Sequence, residues 1–132
     1  MAYSVGYIQS SRCMLLTFSG AITTIDILDA MQDMSLYIKR GKYFTSIISD
    51  YSGVTEFNVF ADGVMKIAES TTNFSTQLPN ICVAVVAPNA VIFGSSRMWE
   101  VFSSEANWEK NTFKTRKEAE TWLCGKLGRQ TE

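Results

Sequence analysis

The segment Ser46-Ile-Ile-Ser-Asp-Tyr-Ser-Gly-Val-Thr55 is the strongest indicator of the fold class, because a short apolar run there is followed by an acid, a hydroxyl and a glycine. The nearly continuous apolar centre of residues 44–49 is typical of a strand that is buried on both faces, as in a parallel sheet. We expect the chain to turn out of this strand at Ser52-Gly53. Asp50, Tyr51 and Ser52 would then lie just beyond the carboxyl end of the strand, where ligands of open α/β sheets tend to bind.

Two strands and a helix are predicted before this segment. Loose alternation over residues 3–9 and an apolar run over residues 13–18 predict an antiparallel hairpin, whose second strand Gly20 is expected to end. Thr23 followed by Asp26 resembles a capping box at the start of the helix. One face of that helix is apolar and carries Ile27, Met31, Met34 and Ile38.

A second helix and a second buried strand are predicted after the segment. Apolar spacing predicts the helix from Phe60 to Thr71, and residues 71–76 are expected to fray into a polar loop. Residues 81–87 are mostly β-branched, uncharged and bounded by two prolines, which is typical of a central strand.

Two more helices and a strand complete the prediction. Asn89 is a good N-cap for a helix that runs to about Ser104. The buried face of this helix is expected to comprise Val91, Ile92, Met98, Trp99 and Phe102. Residues 108–114 can supply a final strand, and Thr115 followed by Glu118 matches a capping box before the last helix.

The predicted element order is ββαβαβαβα, which gives a mixed five-stranded sheet with about four helices. Right-handed crossovers would place the helices on the faces of the sheet, and the hairpin would contribute the antiparallel pair. The chain has 132 residues, 46% of them hydrophobic, and contains no internal repeat or linker. These properties predict one α/β domain over residues 1–132.

Charge and hydropathy indicate the compartment and disfavour two classes of partner. Twelve basic residues against thirteen acidic ones leave a net charge of −1, so no global field favours nucleic acid or an anionic membrane. No stretch approaches the about 18 apolar residues of a membrane span, and Met-Ala-Tyr-Ser lacks the basic start of a signal peptide. The sequence therefore predicts a cytoplasmic protein without an integral membrane segment.

Residue types that are absent or sparse exclude several chemistries. The chain has no histidine, which removes the commonest general base and the commonest zinc ligand. Cys13, Cys82 and Cys124 are widely spaced among apolar residues, which indicates buried reduced thiols rather than a disulfide framework. We expect no metal, no cofactor and no enzymatic activity.

Three short motifs resemble those of a known group of proteins. The stretch from Ser49 to Thr55, together with the element order, resembles the anti-sigma-factor antagonist superfamily (STAS, SpoIIAA-like). Pro88, Phe93-Gly-Ser-Ser-Arg-Met98 and Ala119-Glu-Thr-Trp-Leu123 resemble its uncharacterised bacterial SpoIIAA-like, STAS/SEC14-like branch. The resemblance covers nearly the whole chain and implies the SpoIIAA-like fold.

The chain departs from the signalling members of that superfamily at one position. Those members carry an Asp-Ser-Ser-Gly motif whose serine is phosphorylated and switches partner binding. Aligning the Ser-Gly-Val-Thr segments without gaps places Asn58-Val-Phe-Ala61 there, so the acceptor serine is replaced by an apolar residue. The resemblance therefore does not imply a phosphorylation switch in this chain.

Four polar features could mark a site, and each has a simpler explanation. Asp50 and Glu56 could form a carboxylate pair for acid–base work, although turn amides could equally bind Asp50. Ser52 precedes a glycine and is more often a local hydrogen-bonding residue. Asn89 could help to hold an anion, but helix capping also explains it. Arg97 could bind a carboxylate or phosphate of a partner, or pair with a nearby acid such as Glu100 or Glu105 on its own surface.

Aromatic and methionine side chains could line an apolar pocket. The residues that could line it are the six methionines with Phe57, Phe60, Phe93, Trp99 and Trp122. In a domain of this size the same residues are more often simply core. A lipid or apolar-ligand pocket would require a void of at least a few hundred cubic ångströms.

We therefore expect a non-enzymatic binding or protein-interaction module of STAS-like fold, which self-associates through an exposed apolar helix face or binds another protein. An alternative is a small apolar-ligand or lipid-binding protein with its pocket between the helices of residues 57–68 and 91–102. A third hypothesis is a small carboxylate-based enzyme that uses Asp50. The candidate binding residues are Asp50, Ser52, Phe57, Phe60, Asn89, Phe93 and Arg97.

Overall fold

The computed structural model describes residues 2–128, which form a five-stranded mixed sheet and four helices. In chain order the elements are β1 (Tyr3–Ile8), β2 (Cys13–Thr23), α1 (Thr24–Lys39), β3 (Ser46–Asn58), α2 (Ala61–Gln77), β4 (Ile81–Val86), α3 (Ala90–Phe102), β5 (Trp108–Phe113) and α4 (Arg116–Leu127). The predicted order of strands and helices is confirmed.

The strands lie side by side in the order in which they occur along the chain. β1 pairs with β2 in antiparallel register, from Tyr3 opposite Phe18 to Ile8 opposite Cys13, and the other three pairs are parallel. Because the strand order advances in one direction, right-handed crossovers place α1, α2 and α3 on the same face of the sheet. α4 follows the last strand and packs on the opposite face.

Alternation along the strands divides the core between these two faces. We call the side covered by α1, α2 and α3 the three-helix face, and its core includes Leu16, Ile47 and Val83. The other side, the α4 face, has a smaller core that includes Ile48 and Ala84. Successive residues of β3 therefore lie in different environments.

The ends of β2 and β3 differ from the prediction. Gly20 does not end β2, and the chain does not turn at Ser52-Gly53, because the two strands pair in parallel as far as Thr23 and Asn58. Gly20 adopts a φ of 72° at an irregularity in the ladder. A Cβ on Gly53 would lie 3.2 Å from the Cβ of Ser19, so this glycine permits close approach of the strands.

The end of α2 also differs from the prediction, because the helix continues through residues 71–76 to Gln77. Its hydroxyl side chains donate hydrogen bonds to helix carbonyls, as from Thr71 to Ile67 at 2.9 Å and from Thr72 to Ala68 at 3.1 Å. These bonds satisfy the hydroxyls within the helix, which removes the expected competition with helical structure.

The predicted buried face of α3 is wrong for three of its five residues. Ile92 is buried and Trp99 is partly buried, but Val91, Met98 and Phe102 are exposed. The helix is apolar around most of its circumference, so periodicity alone does not select the face that packs. The side that packs against β5 instead carries small residues, including the buried Ser96, whose hydroxyl contacts Thr112.

Local signals at the helix starts are confirmed. Thr23 and Asp26 form the predicted capping box of α1. The Asn89 side chain accepts a hydrogen bond from the amide of Val91 at 2.8 Å, and the Thr115 side chain accepts one from the amide of Glu118 at 3.2 Å. Each interaction satisfies an amide that has no partner within its helix.

Candidate functional site

An apolar cavity of about 80 Å³ lies on the three-helix face, between the sheet and the helices. Its floor comes from β2, β3 and β4, where Leu16, Ile47 and Val85 are buried strand residues. Its roof includes Ile67 of α2 and Trp99 of α3. Aliphatic and aromatic side chains form most of this lining, which is typical of a site for an apolar molecule.

Two hydroxyl groups of β3 line this cavity. Ser49 is only 9% exposed and lies in the middle of the sheet, and Tyr51 stacks on Phe18 with ring centroids 4.6 Å apart. Burial raises the pKa of the Tyr51 hydroxyl, which therefore stays protonated across the physiological range.

The Ser49 hydroxyl has no hydrogen-bond partner among residues 2–128. Over the same residues, every side-chain oxygen or nitrogen that is inaccessible to a water molecule has a hydrogen-bond partner. The Ser49 oxygen must therefore border space that a water molecule could enter. Because Ser49 is a cavity-lining residue and otherwise buried, we identify that space as the cavity.

A chain of three polar side chains leads from the cavity to the surface. The Ser96 and Thr112 hydroxyl oxygens lie 2.7 Å apart, and Thr112 donates a hydrogen bond of 2.6 Å to the Glu100 carboxylate. Glu100 also pairs with the exposed Arg97 across 3.7 Å. Ser96 lines the cavity, so the chain connects the cavity to a surface ion pair.

A lysine and a tryptophan brace α3 beside this chain. Burial lowers the pKa of Lys110, and the Glu100 carboxylate opposes that shift. The Lys110 ammonium donates a hydrogen bond of 2.6 Å to the Ser103 carbonyl, and the Trp99 indole donates one of 3.0 Å to Thr71. These contacts tie the inner side of α3 to β5 and to α2.

Asp50 and Ser52 lie on the α4 face, on the other side of the sheet from the cavity. Asp50 accepts hydrogen bonds from the Ser52 amide at 2.9 Å and the Ser52 hydroxyl at 2.6 Å, and it pairs with Arg116 across 3.5 Å. The expectation that local backbone groups bind Asp50 is confirmed, although within a strand rather than a turn. Asp50 lies opposite Val86, the last residue of β4.

The predicted carboxylate pair does not form. Asp50 and Glu56 are both in β3, and six residues of extended strand place them roughly 20 Å apart. Glu56 instead accepts a hydrogen bond of 2.6 Å from the Asn58 amide group. The structure does not bring the two carboxylates together for acid–base work.

The other predicted site residues are dispersed. Phe57 lines the cavity, Phe93 packs partly buried against the core, and Phe60 is 70% exposed at the start of α2. Asn89 caps α3, and Arg97 forms the surface ion pair with Glu100 that the sequence suggested. Of the candidates, only Phe57 is a cavity residue.

Sequence reasoning did not place four polar residues at or next to the cavity: Ser49, Ser96, Glu100 and Thr112. Ser49 has a sequence signal, since it is a serine at the end of the apolar run of β3. The other three meet only because α3 packs on β5, so no local pattern could have identified them.

The outer side of α3 is an exposed apolar stripe, which we define as Val91, Gly94, Met98, Val101 and Phe102. Val91 is 67% exposed and Val101 is 69% exposed. A Cβ added to Gly94 would meet no heavy atom within 4 Å. The stripe runs the length of the helix because its members recur at intervals of three and four residues.

Residues 2–128 contain no cluster of three or more histidine, cysteine or acidic side chains that could hold a metal ion. Over the same range no helix has both the length and the apolar character needed to cross a membrane. Cys13 and Cys82 are buried as predicted, whereas Cys124 is only half-buried.

No protein-family model and no curated protein sequence matches this chain. A solved structure does match: an uncharacterised protein of the DUF3478 family from Shewanella loihica PV-4, which has a SpoIIAA-like fold. The TM-score is 0.60, the identity is 15%, and the match covers 93% of each chain. At that identity the match shows the fold alone, and the predicted SpoIIAA-like fold is confirmed.

Proposed function

We propose that this SpoIIAA-like chain is a non-enzymatic, cytoplasmic binding module that self-associates through the exposed apolar stripe of α3. The observation that supports this proposal is the exposure of four large apolar side chains on one side of a single helix. Isolated apolar residues are common on protein surfaces, but contiguous ones are typical of interaction sites.

A second copy of the chain suits this surface. Two-fold interfaces are self-complementary, and a small residue where a helix crosses its own symmetry mate lets the two backbones approach closely. Gly94 is such a residue, with open space above it. An antiparallel crossing near Gly94 would bring Val91 of each copy to Met98 of the other.

Charge does not oppose this arrangement. Arg97 lies next to the stripe, and its ion pair with Glu100 offsets its charge within the same chain. The whole chain has a net charge of only −1, so two copies repel each other weakly.

Sedimentation velocity with the Val91→Glu variant tests the proposal, because Val91 would meet Met98 of the other copy next to the crossing. A carboxylate in the centre of an apolar interface loses its hydration, so this variant should be monomeric at concentrations where the wild type is dimeric. Ile25→Glu is the matched control, because Ile25 is 67% exposed but lies on α1. A monomeric wild type, or equal dissociation of both variants, would contradict the proposal.

The cavity supports a second candidate function, the binding of a small apolar molecule. Its volume of about 80 Å³ is below the few hundred cubic ångströms that a lipid requires. An engineered apolar cavity of about 150 Å³ binds benzene or xenon, so the expected occupant here is smaller than a lipid tail. We therefore do not extend this candidate to lipid carriage.

Xenon is a suitable probe of the second candidate because it enters apolar cavities without needing hydrogen bonds. Trp99 and Trp108 line the cavity, whereas Trp122 packs on the α4 face. Under xenon pressure we expect the indole NMR signals of the first two to shift and that of Trp122 to stay in place. Equal shifts of all three would indicate non-specific binding and count against the cavity site.

No observation favours the third hypothesis, a carboxylate-based enzyme. The Asp50 carboxylate is held by Ser52 and Arg116, and Glu56, the acid that the hypothesis pairs with it, lies roughly 20 Å away along β3.

A further inference from the structure

We infer that the cavity selects small apolar molecules that carry one hydrogen-bond donor, such as a short-chain alcohol, because the Ser96 hydroxyl is fixed as an acceptor. This inference rests on the second candidate function and adds to it the chemical class of the ligand. It is carried by the hydrogen-bond chain of Glu100, Thr112 and Ser96.

The direction of this chain follows from its outer end. The Glu100 carboxylate, which is paired with Arg97, can only accept hydrogen bonds. Thr112 has one hydroxyl proton and donates it to Glu100 across 2.6 Å. Thr112 therefore has no proton left for any other oxygen.

The contact between Thr112 and Ser96 fixes the inner end. Their oxygens lie 2.7 Å apart, which requires a proton between them, and only Ser96 can supply it. The single proton of Ser96 is thus committed to Thr112. What Ser96 still offers is its remaining lone pair, which can accept a hydrogen bond from a molecule in the cavity that Ser96 lines.

The floor of the cavity complements this acceptor. In the ladder Ser49 lies opposite Val85, and Val85 lies opposite Thr112, so the Ser49 hydroxyl is in the same row of the sheet as the chain. This hydroxyl has no partner within residues 2–128 and can either donate or accept. A ligand hydroxyl that lies between the two serines can therefore donate a hydrogen bond to Ser96 and accept one from Ser49.

The rest of the lining determines the body of the ligand. Most of the lining, such as Leu16, Ile47 and Val83, offers no hydrogen bonds, so a second polar group on the ligand would be buried without a partner unless it reached the Ser49 or Tyr51 hydroxyl. The volume of about 80 Å³ limits that body to a few carbon atoms. One hydroxyl on a short alkyl chain fits both restrictions.

The test compares 1-butanol with 1-fluorobutane, which has nearly the same shape but no donor. Both are titrated into the wild-type chain, and binding is measured from the indole NMR signals of Trp99 and Trp108, with Trp122 as the internal reference. We expect 1-butanol to bind about tenfold more tightly, since a committed acceptor that is buried without a donor costs about the energy of one hydrogen bond.

Two variants of Thr112 test whether the preference for a donor comes from the hydrogen-bond chain or only from the polarity of the cavity. Thr112→Val keeps the side-chain shape but frees the Ser96 proton, so the tenfold preference should fall to less than threefold. Thr112→Ser keeps the hydroxyl and should keep the preference. This pair tests direction, because the Ser96 hydroxyl is present in both variants.

The outcomes distinguish the inference from the function on which it rests. If both probes bind the wild type equally well, the donor selectivity is wrong. If Thr112→Val keeps the preference, its assignment to the hydrogen-bond chain of Glu100, Thr112 and Ser96 is wrong. In either case the cavity site stands. If neither probe shifts Trp99 or Trp108, the cavity binds no molecule of this size and the donor inference is wrong. If xenon also leaves both signals unchanged, the second candidate function is wrong as well.

Discussion

Two neighbouring polar residues of β3, Asp50 and Ser49, lie on opposite faces of the sheet and differ in how many partners they have. On the α4 face, Asp50 has three partner groups, from Ser52 and Arg116. On the three-helix face, Ser49 has no partner among residues 2–128 and borders the cavity. The charged residue is thus already occupied by local contacts, and the neutral one is available to a ligand.

The chemical reactivity of a side chain is therefore a poor guide to a binding site in this fold. Strand alternation assigns adjacent residues to different faces, and the packing of each face then decides which polar groups are satisfied. α4 supplies Arg116 to its face, whereas the roof of three helices leaves a void above Ser49.

The largest losses of stability should appear when the same side chain is shortened on each face of the sheet. Ile47 lines the cavity and Ile48 packs in the α4-face core, and both are buried. We expect Ile48→Ala to lower the free energy of unfolding by about 4 kcal/mol and Ile47→Ala by about 2.5 kcal/mol. A side chain beside a void has fewer dispersion contacts to lose.

Urea denaturation of the two variants measures this difference directly, provided that the m-values stay equal. Equal losses, or a larger loss for Ile47→Ala, would mean that the three-helix face is packed as tightly as the α4 face.

Much of the fold could be predicted because its signals are local. The capping residues Thr23, Asn89 and Thr115 mark helix starts through contacts within three residues, and each is confirmed. The ends of β2 and β3 could not be predicted in this way. Gly20 and Gly53 are typical of breaks, yet the pairing of the two strands carries the ladder through both.

The site was harder to predict than the fold. The inner side of α3 is selected by Ser96 and Thr112, which are 16 residues apart and meet only in the folded chain. Periodicity favoured the more apolar residues Val91, Met98 and Phe102 as the buried side, and these are the exposed ones. The same misassignment concealed both the cavity chain and the outer stripe.

A second contrast concerns the two serines that line the cavity. Ser96→Val removes a buried hydrogen bond, so the Thr112 oxygen no longer accepts one. This change should lower the free energy of unfolding by about 2 kcal/mol. Ser49→Val removes a hydroxyl without a partner and fills part of the void, so we expect a gain of about 1 kcal/mol.

Thermal unfolding followed by circular dichroism would report these changes as melting temperatures that move in opposite directions. A loss of stability in Ser49→Val would show that its hydroxyl already has a partner, such as an ordered water, and would remove the distinction drawn between Ser49 and Asp50.

The smallest expected effect is the pH dependence that Tyr51 gives to the three-helix face. Burial raises the folded-state pKa of Tyr51 above its ordinary value of 10.0, so its contribution is fully present below pH 10 and is lost as the pH rises further. We expect the wild type to lose up to about 1 kcal/mol relative to Tyr51→Phe between pH 10 and pH 11, because phenylalanine does not titrate. Tyr43→Phe, which removes an exposed hydroxyl, is the matched control. Parallel stability curves for the wild type and Tyr51→Phe in this window would mean that water reaches the Tyr51 hydroxyl freely and that the cavity is open to solvent.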